Sequence, residues 1–321
     1  MDAVFTWVDG ADPQHRAKRL AALREAKAEL DPGGLETTRF HDSGELRLAI
    51  KLVRQNMPFI ETIYLVTDEQ VPAWLTEHKR RDLGVRLVDH SEIFRGYDHL
   101  LPTFNSRSIE AMLHRIPGLS ETFAYFNDDF FVISGVSQRD YLDEDGRPKL
   151  RGVWRRSGLW ARRVRKYWEK LRSVNPRACV RASRGLNGPR LRNKYGEGPH
   201  HFRMAHAPYV LRRGWFLDEY GDPSRLEAVA KHRFRALCQE SPIQVVAQEA
   251  ILRGRAVVSP YDWAYMSPSL GSGDARCVMW RLDSSAARAR WPHLCVQSVE
   301  QFPEATQEDI WQFLRQLVSS D

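Results

Sequence analysis

The order of apolar and polar runs predicts an α/β fold. It is expected to be Rossmann-like, with a mainly parallel central sheet flanked by helices and broken by one basic helical insertion. Three observations carry this. Up to about residue 135, short apolar runs alternate with stretches of helical periodicity, the pattern of strand–helix–strand units. Two of the apolar runs end in acids, at Asp9-Gly10 and at Asn127-Asp128-Asp129. Between residues 140 and 200 the strand signals give way to Arg, Gly and Pro. Residues 1–321 therefore read as a single domain, with 140–200 as an insertion or lid.

Taken in order, residues 2–8 read as a buried strand closed by Asp9-Gly10. Residues 14–30 place Leu20, Leu23 and Leu30 at helical spacing, and 44–56 do the same with Leu46, Ile50 and Val53. Strands are expected at 60–67 and from Val85 to Asp89. Residues 106–115 look helical, and Pro117-Gly118 ends that helix. Phe123 to Phe126 form the strand that runs into Asn127-Asp128-Asp129. Ligands of such sheets bind beyond the carboxyl ends of the strands, so Asp9 and the Asn127 group are expected in one crevice. Inside the insertion one helix is expected, with Trp160, Val164, Tyr167, Trp168 and Leu171 on a face. Beyond it come a run from Arg203 to Trp215, a helical stretch over 224–253 and a C-terminal helix from about Gln307 to Val318.

Composition narrows the class. Hydrophobic residues make up 42%, enough for a substantial core, yet no run of about 18 apolar residues could span a membrane. The first residues lack a basic region followed by an apolar core, so no secretory leader is expected there. Cys179, Cys238, Cys277 and Cys295 are too far apart for zinc-finger spacing, which fits a reduced, cytoplasmic protein. The net charge of +7 is uneven: Arg151 to Lys194 holds fifteen Lys or Arg and one acid, Glu169. Such a block suits an anionic partner, whether polymer, membrane face or nucleic acid. Trp154, Trp160, Tyr167 and Trp168 lie within it. They could stack on sugars or bases, lie on anionic lipid, or simply turn toward the core beneath an exposed Arg-rich face.

Four motifs bear on chemistry. Two adjacent carboxylates after an apolar strand, Asp128 and Asp129, are costly to bury unless a cation offsets their repulsion. Mg²⁺ binds one or two carboxylates together with substrate phosphates, so a metal site competes here with a solvated hairpin turn. In Trp7 to Pro13, Asp9 is the ligand candidate and Gly10 allows close backbone approach. Asp12 reads as a helix cap with Pro13 at the first helical position. Within Arg39 to Arg47, the two arginines could clamp phosphate oxygens. Asp42 or Ser43 could equally cap the helix, with Glu45 in its first turn. His206, in Ala205-His206-Ala207-Pro208, is a candidate base, with His200, His201 and His41 as competitors.

At these residues the chain resembles the Stealth family of bacterial capsule and exopolysaccharide phosphotransferases, which includes the animal lysosomal-enzyme GlcNAc-1-phosphotransferase. The family's first conserved region is similar to Asp2 to Pro13. Its second is similar to Arg39 to Asn56, Ile63 to Thr67, Pro72 to Leu75, Leu101 to Ser106, His114 to Leu119 and Tyr125 to Asp129. Its third resembles Ala205 to Pro208, and Arg233-Phe234-Arg235 also fits. Two positions depart. Lys51 lies where the family has Arg, which loses bidentate geometry. Cys295-Val296-Gln297-Ser298 stands for the fourth region's Cys-Leu-Asn-Asp, so an acid is missing at Ser298.

The resemblance implies transfer of a hexose-1-phosphate from a UDP-sugar to a saccharide hydroxyl with release of UMP, in capsule or exopolysaccharide synthesis. It implies Mg²⁺ or Mn²⁺ on Asp128 and Asp129, and His206 as base. Asp42 and Glu45 would fix the arginines or share the base role. Asp9, Gly10, Asn105 and Ser106 would hold substrate, and Arg39, Arg47 and Arg235 would neutralise phosphate. The expected setting is cytoplasmic, with peripheral contact at an anionic membrane face and no nucleic acid. The rival readings are a metal-dependent glycosyltransferase that releases UDP, and a polyanion-binding protein that is no enzyme.

Overall fold

The structure is a computed structural model that describes residues 1–25, 40, 42–156, 200–236, 239–259 and 262–318. Strand β1 (Asp2–Thr6) lies at the centre of a five-stranded sheet. Strands β2 (Ile63–Thr67) and β4 (Thr122–Asn127) flank it in parallel, with Thr6 beside Val66 on one side and Asn127 on the other. Strand β3 (Val85–Asp89) continues the parallel set beyond β2. Strand β8 (Tyr209–Arg212) closes the far edge antiparallel to β4.

Period-two alternation divides each central strand between two cores. Ala3, Phe5, Ile63, Leu65, Ala124 and Phe126 face one, and Val4, Tyr64, Val66, Phe123 and Tyr125 face the other. Phe5 stacks on Phe126 at 4.7 Å across the β1–β4 pair. Helix α2 (Glu45–Asn56) covers the first face with Leu46, Ala49, Ile50 and Val53, an i, i+3, i+4, i+7 stripe. The second face is covered by α5 (Ser106–Met112), α6 (Arg213–Tyr220), α7 (Pro223–Ala230) and α8 (Pro242–Leu252). Parallel strands flanked by helices on both faces are the expected architecture.

Two small sheets extend this frame. Strand β5 (Phe130–Val132) pairs antiparallel with β11 (His293–Val296), which runs parallel to β10 (Trp263–Met266). Strand β6 (Lys149–Arg156) pairs with β7 (His200–Met204) on one side and β9 (Val257–Ser259) on the other. Helix α11 (Glu304–Leu317) lays Ile310 and Leu314 into the first core.

Some elements differ from expectation. Helix α1 (Pro13–Glu25) buries His15 and Ala22, while Leu20 is 45% exposed; residue 30 lies outside the described residues. Helix α5 ends at Met112, and a 3₁₀ turn takes over to Arg115. The stretch 224–253 is two helices, because Pro242 can only open a helix and holds Ser241 extended before it. Strand β6 lies inside the segment where strand signals vanish. Its arginines read as solvated, yet Arg151 is 1% exposed and meets Asp262 through a forked pair of bonds, each 2.8 Å. The expected basic helix over 160–171 and most of the basic block lie outside the described residues.

Candidate functional site

The carboxyl ends of β1, β2 and β4 meet at one edge of the central sheet. Past β1, Asp9 and Gln70 exchange two hydrogen bonds of 2.9 Å, Asp9 N–H to Oε1 and Nε2 to Asp9 O, tying the β1 and β2 loops together. Asp9 Oδ1 also accepts the Ala11 amide at 2.8 Å. The close approach at Gly10 is to Phe40: its amide donates to Phe40 O at 2.8 Å, and a Cβ there would lie 2.3 Å from the Phe40 Cβ. Asp12 caps α1, with Oδ1 accepting the His15 amide at 2.7 Å.

A cavity of about 370 Å³ opens here, and among the described residues Asp9, Asp12, Asp42, Asp68 and Glu69 line it against one ammonium, Lys18. Burial pushes His15 below its ordinary pKa despite the charge of Asp68, so its back wall holds a neutral imidazole. Four buried atoms facing this region lack a hydrogen-bond partner: Trp7 Nε1, His15 Nδ1, Asp68 Oδ2 and Trp74 Nε1. Among the described residues, donors and acceptors without hydrogen-bond partners in this cavity suit a hydroxyl- and amide-rich group.

Strand β4 then delivers Asn127-Asp128-Asp129. Tyr125 Oη lies 2.9 Å from Thr6 Oγ1 and donates to Asn127 Oδ1 at 3.1 Å. Asp128 and Asp129 form the turn between β4 and β5. This is no hairpin, since β5 leaves for another sheet and pairs with β11. Asp129 O accepts the Val296 amide at 3.1 Å, and its Oδ2 accepts from Cys295 Sγ at 3.4 Å. Its Oδ1 is buried without a partner. Burial pushes Asp129 up to about 6. Asp128 is pushed well above the carboxylate range by burial, then by the charges of Asp129, Glu45 and Asp42.

Glu45, at the start of α2, is pushed up to about 7 by burial, opposed by hydrogen bonds from its own amide and that of Ser43. The α2 cap is neither Asp42 nor Ser43 but Gly44 at φ +99°, and Asp42 Oδ1 braces the Gly44 amide at 2.9 Å. Arg47 is exposed on α2, while Arg39 and His41 lie outside the described residues. Among the described residues no three His, Cys, Asp or Glu side chains form a metal cluster. The Asp128–Asp129 pair is the pair whose raised pKa values and unpartnered oxygen fit an added cation.

A second cavity, about 210 Å³, has Asn127 in its lining. Arg203, Arg235, His206, Tyr125 and Glu110 line it. His206 sits in the bend between β7 and β8 with its ring 4.9 Å from that of Tyr265, whose hydroxyl donates to Gln297 Oε1. Arg235 Nη2 donates to Ser106 Oγ at 2.6 Å, so these two expected binding residues stand together. Asn105 does not join them. It is fully buried, its Oδ1 accepts the Arg107 amide and its Nδ2 donates to His232 O and Gln239 Oε1, leaving nothing for substrate. The side chains of His200 and His201 lie outside the described residues.

Sequence reasoning missed Lys18, Asp68, Gln70, Trp74, Arg203 and Tyr265. Asp68-Glu69-Gln70 follows β2 as Asp9 follows β1, and the same strand-end logic finds it. Arg203 left no such signal, being one arginine in a strand rich in basic residues. Among the described residues no helix is long and apolar enough to cross a membrane.

Comparison with known proteins adds the following. Residues 1–26 match the family model described as Stealth protein CR1, conserved region 1, and residues 39–150 match Stealth protein CR2, conserved region 2. An exopolysaccharide phosphotransferase of Streptomyces coelicolor is 35% identical over 275 residues, covering 83% of this chain and 46% of that protein. A capsular polysaccharide phosphotransferase of Actinobacillus pleuropneumoniae is 40% identical over 148 residues, 46% of this chain and 39% of its own length. The chain thus spans less than half the length of these relatives. The solved galactosyltransferase LgtC overlays 100% of the chain and 98% of its own at a TM-score of 0.45 and 12% identity, too distant to inform substrate.

Proposed function

Since the chain belongs to the Stealth family, we propose that it transfers a hexose-1-phosphate from a UDP-sugar to a saccharide hydroxyl, releasing UMP and leaving a phosphodiester. The observation that carries this reading is the buried Asp128–Asp129 turn, next in the chain to Asn127 of the arginine- and histidine-lined cavity and within electrostatic reach of Asp42, which lines the acidic one. The acidic cavity suits the nucleoside, with Asp9, Gln70 and the indole N–H groups offering polar contacts. The basic cavity suits the acceptor and the phosphate in flight.

Asp128 and Asp129 would hold Mg²⁺ or Mn²⁺, which when bound neutralises the donor diphosphate. Asp129 Oδ1, buried and unpartnered, is the oxygen best prepared for that contact. Arg235, braced by Ser106, faces the cavity as a phosphate partner. His206 takes the proton of the acceptor hydroxyl as its oxygen bonds to the phosphorus next to the sugar. The bond from that phosphorus to the bridging oxygen breaks, and UMP leaves with the electron pair. The C1–oxygen bond of the sugar stays intact. Positioning and charge neutralisation supply most of the catalysis in such a transfer. Glu45 and Asp42, which share the electrostatic centre of Asp128, would tune its charge rather than touch the acceptor. The basic block at 151–194 would meet the anionic polymer or the headgroups of a membrane face on the cytoplasmic side.

The test is the released nucleotide. Incubation with UDP-sugars, Mg²⁺ and saccharide acceptors should release UMP and place phosphorus in the product. Release of UDP would make the protein a glycosyltransferase. No release, with polyanion binding unaffected by loss of Asp128 and Asp129, would make it a binding protein.

A further inference from the structure

Strand β11 ends at the site, and two of its side-chain contacts have no part in the scheme above. Cys295 is fully buried, and its Sγ donates to Asp129 Oδ2 at 3.4 Å. Oδ2 is engaged by Cys295 and the Asp129 backbone oxygen by the Val296 amide, and Oδ1 is the oxygen left over.

Two residues on, just past the strand, Gln297 is anchored by its amide to Met266 O at 3.0 Å, and its Oε1 accepts the hydroxyl of Tyr265. Tyr265 is the register partner of Cys295 in the β10–β11 pair, and its ring packs on His206 at 4.9 Å and 33°. One strand end thus reaches both halves of the site, the carboxylate by a direct hydrogen bond and the histidine through one aromatic ring.

We infer that Cys295 and Gln297 are positioning residues: Cys295 turns Asp129 so that Oδ1 faces the cation, and Gln297 fixes Tyr265 as the platform that sets the His206 ring. This rests on the proposed roles of Asp129 and His206. Neither residue touches substrate. A thiol suits the first task, because it fills a dry site as a small hydrophobe while still giving one weak hydrogen bond. An amide oxygen suits the second, because it accepts from a phenol without carrying a charge of its own into the basic cavity.

The two arms are read separately, on the full chain. For the first, Mn²⁺ binding is measured by the electron paramagnetic resonance of free Mn²⁺ in the presence of UDP. Loss of an outer-shell partner costs about 10- to 100-fold in metal affinity, so Cys295→Ala should weaken Mn²⁺ at least tenfold. Cys295→Ser, which keeps a donor, should recover most of that loss at an unchanged melting temperature. Equal Mn²⁺ affinity in wild type and Cys295→Ala overturns this arm. For the second, Gln297→Leu and Tyr265→Phe should each lower kcat about tenfold with acceptor saturating, and the double variant should fall no further, the signature of one shared interaction. Mn²⁺ affinity should not move in either. Additive losses, or a change in Mn²⁺ binding, overturn it. Asp129→Asn and His206→Ala serve as controls. If those variants keep full activity, the underlying functional reading fails. If they lose it while the β11 variants do not, only the positioning inference fails.

Discussion

Arg235 Nη2 and Ser106 Oγ lie 2.6 Å apart, joining residues 129 positions distant in sequence at one wall of the basic cavity. The hydroxyl uses one of the five N–H donors of the guanidinium fork. Arg235→Lys keeps the charge and loses the planar fork. It should lower kcat/KM by roughly tenfold, about 1.4 kcal/mol of transition-state binding. Ser106→Ala should give part of that loss, and the pair should be less than additive. Steady-state kinetics on the four proteins decides it.

The carboxylates at the β4 turn give the metal-free protein a pH signature. Asp129 is pushed up to about 6 and Glu45 to about 7, both mainly by burial. Unfolded, both release their protons near pH 4. Between those values the folded state holds more protons than the unfolded one, so stability is fullest below about pH 4 for these groups and is lost as pH rises toward 7. The melting temperature in EDTA should therefore carry a component that falls over that window. Asp129→Asn and Glu45→Gln should each flatten it, and Mg²⁺ or Mn²⁺ should raise the wild-type value at pH 7 more than that of Asp129→Asn. Circular dichroism melts across pH measure this. Turnover of Asp128→Asn and Asp129→Asn should vanish while both still fold.

His206→Ala should reduce kcat by on the order of 10²-fold, the scale of lost general-base catalysis, with donor affinity little changed. Donor affinity is read by UDP titration. A collapse there with kcat intact would make His206 a substrate-binding group.

Asn105 tests the difference between binding and holding. Asn105→Ala removes the cap of α5 and the buried donor to Gln239 Oε1, while His232 O keeps the Ser108 hydroxyl. It should cost roughly 2–4 kcal/mol in urea unfolding, while the donor KM of the folded fraction stays near wild type.

Gly10→Ala should be as severe for a different reason. The added methyl would sit 2.3 Å from both Cβ and O of Phe40, and backbone, not a flexible side-chain end, would have to yield. Overpacking of this kind costs about 1–3 kcal/mol, visible in the same urea midpoint.

Much of this site was legible in the sequence for one physical reason. A parallel strand places whatever follows its last buried residue at the ligand edge, so Asp9 and Asn127-Asp128-Asp129 could be located from apolar runs alone. What the sequence hid was made by pairings between distant segments. Arg151 reads as a surface residue until Asp262 is placed against it. The Asp128–Asp129 turn reads as a hairpin until β5 is seen to pair with β11. Asn105 lies in a long conserved-region match and reads as a ligand group until the loop at 232–239 takes up its amide. Ser298, where the family carries an acid, sits at φ +53°, a left-handed backbone that Asn, Asp and Gly adopt more readily than Ser. The acid there thus has a conformational use as well as a chemical one.

Arg156 and His200 are cross-strand partners in the β6–β7 pair. The chain therefore leaves the described structure and rejoins it at neighbouring points. Loop closure costs only about 0.6 kcal/mol more for each doubling of loop length. Evolution can lengthen, shorten or exchange that stretch without any strand changing its neighbour. The molecule is in this sense a socket: the strand ends are fixed, and what joins Arg156 to His200 is free to diverge without disturbing them.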